Sequence, residues 1–180
     1  MVVEGQKLAL EIDTSKAVFP IVVDPLIGAD FNDLYGDAEG DHFGTAIDTD
    51  GTTVVIGVPH DDDAGLDAGS VYVFQKTSGW SILSRLMPNT LLPGSRFGEV
   101  VSLSGNTVAV TADLNVSPNT GTVYVYTFNG PNWQQEAVLQ GDPQQANGGF
   151  GRALDLNVDT LAVVQTIPIN AAVTKGISVD

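Results

Sequence analysis

An all-β architecture of β-propeller blades, each of four antiparallel strands, is predicted by three features of this 180-residue sequence. A glycine-aromatic landmark returns, with Phe43-Gly44, Phe97-Gly98 and Phe150-Gly151 falling 54 and 53 residues apart. Other landmarks keep nearly the same step: Val71-Tyr72-Val73 recurs as Val123-Tyr124-Val125, and Trp80 recurs as Trp133. The runs between them are too short for helices and rich in β-branched and aromatic residues, so each reads as a strand. A period of about fifty residues with several short strands per unit points to a propeller or β-array.

Taken in order, residues 1–27 are expected to form a β-hairpin, in which Phe19-Pro20-Ile21-Val22-Val23-Asp24-Pro25 is similar to the end of a β domain that often precedes such repeats in large bacterial surface proteins. The strands of the hairpin are Leu8 to Ile12 and Val18 to Val23, with Pro20 favouring an edge position because it has no amide to donate. Residues 28–39, with Asp30, Asp33, Asp37 and Glu39, read as an acidic linker. The repeats follow at about 40–92, 93–146 and 147–180. In the first, the strand candidates are Phe43 to Ile47, Thr53 to Val58, Ser70 to Gln75 and Trp80 to Leu86. Asp50-Gly51 marks a hairpin between the first two, since a tight turn needs the positive φ that glycine adopts cheaply. The second strand is apolar on nearly every residue in each unit and is expected to be buried on both faces, as where blades stack. Trp80 and Leu86, six residues apart like Trp133 and Leu139, are expected on one face of the outer strand. Gly176-Ile177-Ser178-Val179 matches Gly69-Ser70-Val71-Tyr72 of the first unit, so the third repeat is expected to be incomplete and its partners to be the remaining blades of a longer chain.

These residues resemble the FG-GAP repeat family, the blades of integrin-α-like propellers and of many bacterial surface proteins. Phe43-Gly44 stands for "FG", Gly57-Val58-Pro59 for "GAP" with one conservative change, and Gly69-Ser70-Val71-Tyr72-Val73-Phe74 for the strand that follows. The second and third units carry Thr111-Ala112-Asp113 and Val164-Gln165-Thr166 at the "GAP" position and rest on Phe-Gly and strand pattern instead. The resemblance implies an extracellular or cell-surface module for adhesion or ligand binding, often assisted by calcium.

Composition narrows the partners. Lys and Arg number 7 against 22 Asp and Glu, giving a formal charge of −15, a field that repels nucleic acid and anionic lipid. No run approaches the roughly 18 apolar residues of a membrane span, and Met1 to Asp13 lacks the pattern of a secretory signal. Cysteine is absent, which removes disulfides, thiolate metal sites and thiol catalysis.

The loop Asp61-Asp62-Asp63-Ala64-Gly65-Leu66-Asp67 is the best candidate site. Calcium takes six to eight oxygen ligands, and carboxylates on a glycine-bent loop supply several, with Asp61, Asp63 and Asp67 as the expected ligands. The competing reading is a solvated acidic turn. In integrin-like blades the calcium loop lies between the first two strands, but Asp48-Thr49-Asp50-Gly51 is short and reads as a plain hairpin, and Asp155-Leu156-Asn157-Val158-Asp159 lacks the bending glycine. Neither a nucleophile elbow nor a zinc-protease helix is present, and His60-Asp61 is weighed as a base with its orienter against a solvated histidine. Gly149-Phe150-Gly151 is no dinucleotide fingerprint, because a strand and not a helix follows it. The expectation is a non-enzymatic surface module whose loops bind a protein or polysaccharide. The alternatives are an accessory or partial catalytic domain of a secreted hydrolase, and a structural spacer.

Overall fold

The computed structural model describes residues 2–4, 7–9, 38, 40–113, 121–142, 149–158 and 160–165, and these contain strands and turns but no helix. The chain separates into two compact units, Met1–Phe31 and Asn32–Asp180. In the first, β1 (Val2–Glu4) pairs antiparallel with β2 (Lys7–Ala9), matching Val2 with Ala9 and Val3 with Leu8. Of the expected first strand, Leu8 to Ile12, Leu8 and Ala9 lie in β2, and the rest falls outside the described residues. The expected second strand lies outside the described residues.

The second unit holds two complete four-stranded meanders. The first blade runs β3 (Ala46–Thr49), β4 (Thr53–Val58), β5 (Ser70–Lys76) and β6 (Trp80–Leu86) in sheet order, all antiparallel. The second repeats it as β7 (Val101–Ser104), β8 (Thr107–Ala112), β9 (Thr122–Phe128) and β10 (Trp133–Gln140). A third begins with β11 (Leu154–Asn157) paired to β12 (Thr160–Val163). The first strand starts at Ala46 and not at Phe43, because His42 and Gly44 hold φ of 58° and 91°, which no extended strand allows. Arg96 and Gly149 repeat the left-handed turn at the residue before each phenylalanine, with φ of 51° and 53°.

Alternation along the strands feeds two faces. Val55, Val71, Val73 and Leu86 of the first blade pack against Phe97, Val101, Leu103, Val108, Val110, Tyr124 and Tyr126 of the second. On the opposite face of the second blade, Ala109, Val123 and Val125 meet Phe150, Leu156, Leu161 and Val163 of the third. Strands β4 and β8 are thus buried on both faces, as expected, whereas β12 is buried on one face only. Trp80 and Leu86 do not share a face: Trp80 packs beside Tyr72 and Phe74, and Leu86 joins the core between blades. A bulge explains this, since β5 pairs Phe74 with Ile82 and Val73 with Ser84, leaving Leu83 over and reversing the sidedness after it. The second blade repeats the irregularity between Gln135 and Ala137.

The repeat landmarks make the junctions. Within each unit the Phe-Gly amide donates to the carbonyl at the end of the second strand: Gly44 to Gly57 (3.1 Å), Gly98 to Thr111 (2.9 Å) and Gly151 to Val164 (2.9 Å). Between units, Phe97 forms a parallel bridge with Gly69, its amide donating to Ala68 (2.9 Å). A Cβ on Gly57 would overlap the Gly98 carbonyl, and one on Gly98 would lie 2.7 Å from the Ser70 carbonyl oxygen. Side chains bridge the first strands as well, since β3, β7 and β11 lie side by side. The Asp48 carboxylate accepts the Leu103 amide (2.7 Å) and the Ser102 hydroxyl (3.3 Å), while Ser102 accepts the Leu156 amide (3.0 Å) and Ser104 that of Val158 (2.9 Å).

Gly57→Ala is expected to cost about 3 kcal/mol, because its methyl meets backbone that cannot rotate away. Gly44→Ala, with φ of 91° but open space around it, is expected to cost only about 1 kcal/mol. Urea unfolding of both variants measures the difference; equal losses would remove the close backbone approach as the reason for glycine at the first of these positions.

Candidate functional site

The connection from Pro59 to Gly69 leaves the second strand and returns to the third, and its carboxylates are spent on the chain itself. Asp61 is 1% exposed; its side chain accepts the Asp63 amide (3.0 Å), the Ser70 hydroxyl (2.6 Å) and a bond from Arg85 Nη2. Arg85 reaches in from β6, donates from Nη1 to Asp63 (2.6 Å), and lies 5.0 Å from the Tyr72 ring centre. Burial works against the Arg85 charge, but its bonds to Asp61 and Asp63 outweigh that and raise its pKa above the usual arginine value. Asp62 accepts the Asp67 amide (2.7 Å), and Asp67 bonds His60 Nδ1 (2.7 Å). Of the three acids expected to bind calcium, Asp61 and Asp63 therefore share Arg85 and Asp67 is turned to His60. Among the described residues, no group of three or more His, Cys, Asp or Glu side chains is arranged to hold a metal ion. The carboxylate bonded to His60 is that of Asp67, seven residues on, and not that of its neighbour Asp61.

The Asp48-Thr49-Asp50-Gly51 stretch is a hairpin. Asp50 Oδ1 accepts the amides of Thr52 and Thr53 (both 2.8 Å) and the Thr52 hydroxyl (2.9 Å), with Gly51 at φ of 91°. Burial alone would raise the Asp50 pKa; these bonds to the ionised form hold it below the ordinary carboxylate value.

A pocket of about 410 Å³ opens where the three units meet, lined by His42, Thr45, Pro59, His60, Glu99, Val100 and Arg152. Its construction follows from the repeat. Thr45, Glu99 and Arg152 each directly follow a Phe-Gly pair, so three successive blades deliver the same position to one cavity at the head of β3, β7 and β11. The rings of His42 and His60 meet edge to face with centroids 4.3 Å apart, and Thr45 donates its hydroxyl to the His42 carbonyl (2.8 Å). Glu99 lies 3.7 Å from Arg96. Sequence reasoning passed over this site because it weighed the motif residues and not the variable residue after them; aligning the three repeats at Phe-Gly would have set Thr45, Glu99 and Arg152 together.

The sequence profile of the FG-GAP repeat matches residues 35–74 and 80–126, the span of the first two blades up to the third strand of the second. This is an FG-GAP repeat protein. Among curated proteins none matches the chain. The geometry carries FG-GAP architecture past the matched span, since Gly149, Phe150 and Gly151 repeat the left-handed turn, the buried ring and the amide bond of the earlier units.

Arg85→Met is expected to destabilise the protein by about 3–5 kcal/mol, because it leaves the Asp61 carboxylate buried without its cation. Adding Asp61→Asn should recover part of the loss in chemical denaturation; no recovery would mean that Arg85 acts through packing on Tyr72. At Asp50 the sign follows from a depressed folded pKa. Its contribution is complete above the unfolded value of about 3.9 and is lost as pH falls through the folded value. Asp50→Asn should lower stability at neutral pH and flatten the acid limb of a pH–stability curve, and an unchanged limb would contradict the turn's role.

Proposed function

We propose that this FG-GAP chain is a non-enzymatic binding module of an extracellular or cell-surface protein, taking a protein or polysaccharide ligand at the pocket where the blades converge. The observation that carries this reading is the delivery of Thr45, Glu99 and Arg152 to one cavity from a repeated backbone position. The scaffold fixes the position and leaves the side chain free to differ, which is the arrangement a recognition surface needs. FG-GAP repeats are typical of surface proteins, and no helix of the described residues is long and apolar enough to cross a membrane. A specific observation favours one alternative: the His60–Asp67 pair at 2.7 Å has the form of an oriented general base, as in an accessory or partial catalytic domain of a secreted hydrolase. Against it, the Thr45 hydroxyl in the lining donates to the backbone carbonyl of His42 and not to an imidazole nitrogen.

A binding screen on immobilised peptides and glycans tests the module. A ligand held by the wild type should lose at least about tenfold in affinity, or about 1.4 kcal/mol, in Thr45→Ala/Glu99→Gln/Arg152→Gln at unchanged melting temperature. Ligands retained equally by that variant would place recognition elsewhere, and glycan or ester turnover lost in His60→Ala would establish the hydrolase.

Calcium assistance is a separate proposal, which requires the ion to compete with Arg85 for Asp61 and Asp63. A calcium-specific rise in melting temperature is expected in the wild type and a larger one in Arg85→Met, where the ion meets no competing cation, with magnesium, demanding tighter geometry, acting less well. A calcium-specific rise in the wild type that disappears in Asp61→Asn/Asp63→Asn would make calcium a native ligand of the loop.

A further inference from the structure

Among the described residues of the repeats, three of the four Lys and Arg side chains are engaged. Arg85 is held by Asp61 and Asp63, Arg96 lies beside Glu99, and Lys76 sits over the Trp80 ring at 5.9 Å. Arg152 differs: it is exposed in the pocket lining, and no described carboxylate lies within ion-pair distance of it. In a chain with 22 acids against 7 bases, an arginine held clear of every described acid is an exception. The acid at the same repeat position of the neighbouring blade, Glu99, lies 3.7 Å from Arg96.

The third repeat is shaped for this side chain. The residue before the phenylalanine is His42 in the first unit and Arg96 in the second, but Gly149 in the third. The Arg152 side chain folds back beside Gly149, where a Cβ would crowd its Nε, Cδ and Cγ. The pocket wall beside it is polar, made by the His42 and His60 rings.

Resting on the proposed binding module, we propose that the pocket recognises an acidic side chain of a peptide, its carboxylate paired with the Arg152 guanidinium. A planar guanidinium matches a carboxylate through two parallel N–H bonds, and a pocket of about 410 Å³ admits one side chain with its flanking backbone. Among the described residues the lining has no Trp, Tyr or Phe on which a pyranose ring could stack, which favours peptide over uronic sugar. The charge of −15 opposes a polyanion far more than a single carboxylate.

The test is an NMR titration of the full chain with acetyl-Gly-Asp-Gly-amide, its Asn counterpart, galacturonate and inorganic phosphate. Saturable shifts of His42, His60 and Arg152 signals are expected with the Asp peptide, and at least about tenfold weaker binding of the Asn peptide. Arg152→Gln should abolish the response while melting as the wild type does, and Arg152→Lys should restore part of it, keeping the charge but losing the fork. Equal binding of Asp and Asn peptides, binding that survives Arg152→Gln, a preference for galacturonate or phosphate, or no response to the Asp peptide up to about 10 mM would each overturn the carboxylate. A neutral ligand from the array screen that binds the wild type and is lost in the three-residue pocket variant would still leave the module in place, so the two readings fail separately.

Discussion

Where Gly57 of the first blade faces Gly98 of the second, two backbones approach so closely that neither position has room for a methyl group. The apolar core between the blades depends on that approach. It lets the Phe97 segment pair with Gly69 and drop its ring among Tyr124, Tyr126 and the valines of both sheets, where it is 0% exposed. The same junction is made differently one step on. Thr111 stands in place of Gly57, and a Cβ on Gly151 would meet the methyl carbons of Thr111 (2.8 Å) and Val123 (2.9 Å). At this contact one glycine, on the incoming side, is enough because the receiving side offers a short side chain, whereas backbone still meets backbone at Gly121, where a Cβ would overlap the Phe150 carbonyl.

The acidic composition has an architectural use that charge alone does not reveal. Asp48 carries a bond from one blade to the next, Asp50 closes a hairpin, and Asp61 braces the loop under Arg85. Each takes hydrogen bonds from backbone amides, groups that would otherwise lack partners at turns and sheet borders. The repulsion expected of crowded carboxylates is met locally by amides and a guanidinium.

Short-range pattern made the strands legible: Thr53–Val58 and Trp80–Leu86 coincide with the apolar runs read from the sequence. The start of the first strand was displaced because a left-handed residue before Phe43 leaves no mark when that residue is histidine. The faces of Trp80 and Leu86 were misassigned because counting by two assumes an unbroken pleat, and the bulge at Leu83 breaks it. The acidic loop lies between β4 and β5, but the partner of its Asp61 is Arg85, 24 residues on in β6, a separation no local spacing rule spans. The pocket is the extreme case, since its lining comes from three repeats and joins only when they stack.

The junction is not symmetric, and the asymmetry gives the array a polarity. The Phe-Gly turns at Phe97 and Phe150 are each the tongue of their own unit and fit a groove built by the unit before, between the end of its second strand and the start of its third. The tongue of a later unit therefore finds a finished seat only after the earlier one has paired its strands, which matches the order in which a ribosome releases them. Assembly by this route resembles tiling from one end, with each completed piece serving as the template for the next.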